Sequence, residues 1–260
     1  MLSFDKVLQQ YPPLLQSRAE HIYKEYLQYH ILEWIFDGPH AHKLCFIWGT
    51  ALRLCYDNHR FSEDLDFDNT DLSYDEFDEL MQYTSSYLAL KWFSIQTKIL
   101  RKWAYHYHIK FPDLLYDAWI SPMKTSKILI QIDTHNQWVD YDTSLQKLHK
   151  FETLTMLQVA PMETLLSQKL FTVFERKRMK GRDFFDILFL LKNTQTPHWW
   201  YLWQTLDIHD PATLKQRLLD KCIWLDFDQL QADVQPFLFQ PTNQSVARFV
   251  DYIQQIEFGH

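Results

Sequence analysis

Asp64 and Asp66 stand two residues apart within residues 44–68, LCFIWGTALRLCYDNHRFSEDLDFD. On a strand that spacing points both carboxylates to one side, where together they can hold a hard divalent cation. Ahead of them, Gly49 lies between an apolar run and Thr50, in a chain with only four glycines. A residue without a Cβ lets the backbone come close to a ligand, and a helix start presents unpaired N–H groups that favour an anion, phosphate above all. Asp133 follows the apolar run in KILIQIDTH, so it is either a strand-end acid or one aimed into a site. Lys169 falls in or beside a helical stripe of Leu165, Leu166, Leu170, Val173 and Phe174, where it either snorkels to water or reaches inward. The basic cluster Arg176, Lys177, Arg178, Lys180 and Arg182 follows. Asp183 and Asp186 then share one side of the next helix, as site carboxylates or as salt-bridge partners for Arg182 or the cluster.

The elements that must position these residues are legible as patterns. Residues 17–36 carry Ile22, Tyr26, Leu27, Ile31, Trp34 and Ile35 at helical spacing, stopped by Asp37, Gly38 and Pro39. Residues 43–48 read as a buried strand, Thr50 as the cap of the helix after Gly49, and residues 60–68 as a returning strand. The acids of residues 71–79 read as a solvated helix start. Residues 91–98, 104–111 and 126–133 read as three further strands. In the middle one Tyr105, Tyr107, Ile109 and Phe111 alternate with His106, His108 and Lys110. His106 and His108 have the spacing of a metal pair, but no third ligand is suitably placed, so they read as a solvated face. Near residue 150 the pattern turns helical, with Pro161 suited to a first helical turn. The expected division is an α/β core over residues 1–150 and a helical C-terminal domain over 151–260, with the boundary falling within 143–155. Val246, Phe249, Val250 and Ile253 form a late stripe that packs on the core or grips an acceptor.

Composition bounds the function. A 260-residue chain with 47% hydrophobic residues can bury a core without staples. Its net charge of −7 argues against a general nucleic-acid coat while leaving room for a local basic patch. Three cysteines suggest reduced thiols, and neither a signal peptide nor a membrane span is evident, so the expected location is cytoplasmic, away from the membrane. The 17% aromatic content is chiefly core filling.

GTALR at residues 49–53, RFSEDLDFD at 60–68, Lys169 in a helix and GRDFFDILFLL at 181–191 together resemble the nucleotidyltransferase-like toxins of abortive-infection systems, the AbiEii/AbiGii family. The resemblance spans roughly residues 30–192 and implies an α+β fold: a polymerase-β-like mixed sheet with flanking helices, then a helical C-terminal domain. It further implies that Gly49 and Thr50 bind the phosphates of an NTP, and that Asp64 and Asp66 hold Mg²⁺ or Mn²⁺, with Asp133 as a third carboxylate. Lys169 and Arg182 would neutralise the triphosphate or pyrophosphate and close over the site with the Asp183 and Asp186 block, while Ser62 matches the family's serine. The implied activity is transfer of a nucleoside monophosphate to RNA, such as a tRNA 3′ end, or to a protein hydroxyl. The implied partner is a cognate antitoxin. Where the family has two small residues before the helix, this chain has Trp48 and Gly49. That departure motivates a second reading, a degenerate nucleotide-binding or protein-interaction module. A third is a metal-dependent phosphohydrolase using the same carboxylates.

Overall fold

The computed structural model describes residues 2–91, 93–101 and 104–259; Trp92, inside the run 91–98 read as a strand, lies outside them. The chain separates into two compact units. The first comprises Met1–Tyr56, Phe61–Trp138 and Thr143–Val159, and the second comprises Asp57–Arg60, Val139–Asp142 and Ala160–His260.

In chain order the first unit contains α1 (Phe4–Leu8), α2 (Pro13–Gln16), α3 (Ala19–Phe36), β1 (Leu44–Ile47), α4 (Trp48–Cys55), β2 (Leu65–Asn69) and α5 (Tyr74–Leu90). It continues with β3 (Gln96–Arg101), β4 (Tyr105–Phe111), α6 (Leu114–Asp117), β5 (Ile128–Asn136), β6 (Ser144–Lys150) and β7 (Thr153–Val159). Among the described residues the strands form one mixed seven-stranded sheet of order β3-β4-β5-β2-β1-β7-β6. β2 runs parallel to β5 and β1 parallel to β7, and the other pairings are antiparallel.

Strand β1 is buried at all four positions, as a strand covered on both faces should be. β2, beside it, and β5, on the far side of β2, send successive side chains to opposite faces. Leu65 and Phe67 of β2, and Ile128, Ile130 and Ile132 of β5, bury into the core, while Asp64, Asp66 and Asp68, and Gln131, Asp133 and His135, take the opposite face. α3 covers the apolar side, with Phe36 6.1 Å from Phe67 between ring centroids. The arginine of GTALR, Arg53, ties α4 to α3 through a buried pair with Glu25, Nε to Oε2 at 2.8 Å. α5 starts in a capping box between Ser73 and Glu76, so the acids near residue 75 are indeed a helix start.

Four expectations change here, the first being that the strand read at residues 91–98 lies later, as β3 from Gln96 to Arg101. Residues 60–64 are not strand, and β2 begins only at Leu65. Thr50 does not cap α4, because the helix already starts at Trp48 and Ile47 takes the cap position without a side-chain bond. The turn to helix near residue 150 is displaced, since β7 runs to Val159 and closes the first unit there. The β6–β7 hairpin hides its period because β7 inverts the usual polarity: Thr153 and Thr155 are buried while Leu154 and Met156 are exposed.

The second unit is helical: α7 (Met162–Glu175), α8 (Gly181–Asn193), α9 (Trp199–Leu206), α10 (Pro211–Cys222), α11 (Phe227–Val234) and α12 (Phe249–Gln255). Pro161 caps α7 rather than occupying its first turn. Gly181 lets α8 begin hard against α11, since a Cβ there would lie 1.8 Å from the Leu230 carbonyl oxygen. Val246, Phe249 and Ile253 of the late stripe are buried, and Phe249 packs on Phe184 and Phe227 inside this unit. Among the described residues no helix is long and apolar enough to cross a membrane, and Cys45, Cys55 and Cys222 form no disulfide.

Candidate active site

One row of residues crosses four strands of the first unit. Ile47 of β1 faces Asp66 of β2, Asp66 faces Asp133 of β5, and Asp133 faces His106 of β4. The parallel pairing of β2 with β5 sets two carboxylates side by side, and Asp64, two residues earlier, shares their face. β1 ends at Ile47 and α4 starts at the next residue, so the unpaired N–H groups of the helix start open at the level of Asp66. Gly49 and Thr50 are both buried in that first turn. The Thr50 hydroxyl donates to the Asp64 carbonyl oxygen, which fixes the helix start to the chain entering β2. Ser62 is held through its carbonyl, which accepts from Gln28 Nε2 at 3.1 Å, as does that of Glu63 at 2.9 Å.

Burial raises the Asp64 carboxyl above its ordinary range. The charges of Glu63 and Asp133 push the same way, with Lys24 and a hydrogen bond from Gln131 offsetting part of it. Like charges crowded on a half-buried face are what a divalent cation relieves, and carboxylate oxygens are the donors that Mg²⁺ and Mn²⁺ take. The donor set therefore fits such an ion by its chemistry. Among the described residues no three His, Cys, Asp or Glu side chains converge on one point, and Asp133 is engaged by His106, whose Nδ1 lies 2.8 Å from its Oδ1. His106 is the residue that reasoning from the sequence missed. It stood out only as half of a pair with His108, and its neighbour across the sheet depends on the β4–β5 register. His135, on the same face, lies 3.5 Å from Asp68.

Trp48 holds the first position of the turn with φ 63°, the left-handed region that a glycine adopts without strain. It is not a core residue. Its half-buried indole meets His135 edge-on at 6.0 Å, and therefore lies on the carboxylate face.

The second unit places the later motif residues in a charge network of its own. Asp186 is fully buried and accepts from Arg60 Nε at 2.7 Å and Nη2 at 2.6 Å, from Asn58 Nδ2 at 2.9 Å, and from Lys169 Nζ at 2.9 Å. Lys169 also donates to Asp183 at 3.0 Å, and Arg176 of the basic cluster pairs with Asp183. Burial alone would raise the Asp186 carboxyl, but Arg60 and Lys169 overcome it and hold it at about 2. Burial likewise works against the charge on Lys169, and Asp186 and Asp183 outweigh it, holding the ammonium above its usual range. Arg182 lies over the Phe237 ring at 4.5 Å. Two blocks far apart in sequence, RFSEDLDFD and GRDFFD, thus meet through Arg60 and Asp186.

A mixed sheet that brings a helix start to the level of paired aspartates defines the nucleotidyltransferase-like class of α+β fold. The chain belongs to the family described as nucleotidyl transferase AbiEii toxin of type IV toxin–antitoxin systems, whose model matches residues 30–242. Among solved structures it is similar to JHP933 from Helicobacter pylori, with a TM-score of 0.56, 20% identity and 90% of each chain covered. It is likewise similar to a candidate nucleotidyltransferase from H. pylori, with a TM-score of 0.55 and 21% identity over 90% of this chain and 92% of that one. No curated protein matches significantly.

Proposed function

We propose that this chain transfers a nucleoside monophosphate from an NTP to an RNA acceptor, such as a tRNA 3′ end, or to a protein hydroxyl, with Mg²⁺ or Mn²⁺ held by Asp64, Asp66 and Asp133. What supports the reading is the single row in which Asp66 and Asp133 lie beside the start of α4. The N–H groups around Gly49 and Thr50 receive the phosphates, while the Thr50 hydroxyl keeps the phosphate turn and the entry to β2 at a fixed spacing. Asp133 serves as a third oxygen donor or takes the proton of the attacking hydroxyl, and His106 fixes its orientation. Held by Asp64, Asp66 and Asp133, Mg²⁺ or Mn²⁺ would supply charge neutralisation at the phosphates and a lowered pKa for the attacking hydroxyl. Lys169, Asp183 and Asp186 enter as the buried network that keeps α7 and α8 in place, which activity requires. By family, the enzyme is the toxin of a pair and its partner an antitoxin; the need for NTP places it in the cytoplasm.

The test is to incubate the protein with each labelled NTP, Mg²⁺ and either total RNA or total protein. Label should pass to one of the two and vanish in the Asp64→Asn, Asp66→Asn double variant. No transfer by the wild type, or undiminished transfer by the variant, defeats the reading. The indole of Trp48 on the carboxylate face favours a second reading, a module that keeps the fold without turnover. Calorimetric titration separates the two, because only the enzyme should bind NTP in a metal-dependent way.

A further inference from the structure

The basic cluster is only partly consumed by the buried network. Five of the seven residues from 176 to 182 are Lys or Arg, in a chain of net charge −7. Arg176 is committed to Asp183 and Arg182 lies over Phe237. Lys177, Arg178 and Lys180 are exposed on the connection between α7 and α8 and make no ion pair among the described residues. Three unpaired cations on a short connection, with no fold-stabilising task, are positioned to meet an external anion.

What lies beside that connection identifies the kind of anion. Its start is tied to the end of α10, where Lys221 Nζ donates to the Phe174 carbonyl oxygen at 2.8 Å and Arg217 lies 5.4 Å from the Phe174 ring. Its end is tied to α11, where Gly181 meets Leu230 and its N–H donates to Asp233 at 2.8 Å. The two connections therefore join the same pair of packed ends: the α10–α11 segment leaves α10 where Lys221 meets Phe174 and leads into the helix that Gly181 meets. The outermost residue of that segment is Trp224, 90% exposed and without a ring partner among the described residues. An indole held out to water on the segment that leaves α10 at Lys221, and cations on the connection that follows Phe174, supply the two parts of a single-strand grip, charge for the phosphates and an aromatic face for a base. Of the acids on the same edge, Asp226 caps α11 and Asp233 holds Gly181, leaving Asp228 and Glu175 as the opposing charges. An acidic protein would use the cations and leave the indole without a planar partner.

We propose that the α7–α8 connection and Trp224 bind a single-stranded segment of the nucleic-acid acceptor, Lys177, Arg178 and Lys180 on its phosphates and Trp224 stacked on a base. The transferase reading supplies the reason for an acceptor strand, but the binding itself requires neither NTP nor metal. Binding can therefore be measured apart from transfer. A fluorescein-labelled, unstructured RNA oligonucleotide is titrated with the full-length protein in EDTA over a series of salt concentrations, and anisotropy is read.

Affinity should fall with log salt for the wild type. The triple variant Lys177→Gln, Arg178→Gln, Lys180→Gln should bind more weakly, with a slope shallower by about 2, roughly 0.7 for each phosphate no longer neutralised. Trp224→Ala should weaken binding by about tenfold at every salt concentration with its slope unchanged. Single-stranded DNA of the same length should bind equally, since neither the cations nor the indole reads the 2′-hydroxyl. An unchanged slope in the triple variant overturns the proposal. So does wild-type affinity in Trp224→Ala, or displacement of the RNA by poly-glutamate as effective as by unlabelled RNA. If RNA binds as described and no nucleotide is ever transferred, the transferase reading fails while this one stands.

Discussion

Asp186 and Asp64 are both aspartates withdrawn from water, and their carboxyls are pushed in opposite directions. Asp186 has Arg60, Lys169 and Asn58 around it and is held at about 2. Asp64 is raised by burial and by the charges of Glu63 and Asp133, and neither it nor Asp133 has a Lys or Arg ion pair among the described residues. The helical unit neutralises its acids with its own cations, whereas on the sheet Lys24 and Gln131 offset only part of what raises Asp64, and Asp133 meets an imidazole rather than a Lys or Arg. A neutralised cluster serves the fold, and a partly relieved one beside a helix start has the form of a binding site.

The largest effect that this contrast anticipates is in the second unit. Asp186→Ala removes the buried carboxylate that Arg60 and Lys169 share, leaving Lys169 with Asp183, and should cost about 3–5 kcal/mol. Urea unfolding measures it, and a loss below about 1 kcal/mol would mean that the two cations find other partners and the network is not self-contained. The pH dependence has a definite sign. Because the folded carboxyl is held at about 2, below the ordinary value near 3.9, its contribution is complete above about pH 4 and drains away as pH falls toward 2.

Asp64→Asn should act in the opposite direction. A carboxyl raised in the folded state lowers stability once ionised, and that cost disappears as pH falls below the unfolded value. In EDTA at neutral pH the variant should therefore melt higher than the wild type, because it no longer buries a charge beside Glu63 and Asp133. Saturating Mn²⁺ should reverse the order, raising the wild type while leaving the variant where it was. A variant that melts lower in EDTA, or that responds to Mn²⁺ like the wild type, would dissolve the distinction between the two aspartate groups.

What the sequence made visible, and what it hid, follows the same division. Strands β1, β4 and β5 were legible because their burial alternates or is continuous, and Asp64, Asp66 and Asp133 were legible because each follows or interrupts such a run. Hairpin β6–β7 was hidden by its buried threonines and exposed Leu154 and Met156. His106 was visible as a residue, but its proximity to Asp133 is a matter of strand register, which one sequence without an alignment does not reveal. Arg60 and Asp186 are separated by 126 positions, and no local pattern links a motif arginine to an acid that distant. Lys169 is the clearest case of two readings with one pattern. A lysine on an apolar stripe looks the same whether it snorkels, meets a phosphate or, as found, lies between two buried carboxylates.

Trp48 sharpens the contrast at its smallest scale, because backbone strain gathers on the same face as the carboxyl that burial and like charges raise. Its left-handed φ of 63° costs a residue with a Cβ about 1–2 kcal/mol and costs glycine nothing. Comparing Trp48→Gly with Trp48→Ala isolates that quantity, since both variants equally lack the indole and its edge-on packing with His135. The glycine variant should be the more stable of the two by about 1 kcal/mol, a Tm difference of roughly 2–4 °C. If alanine equals it, the position imposes no left-handed backbone, and Trp48 departs from the family's small residue in its side chain alone. If glycine is more stable and also tightens metal-dependent NTP binding, the indole narrows the phosphate turn. The sheet would then carry both a strained backbone and a crowded charge at the place where its substrate must sit, as functional sites commonly do.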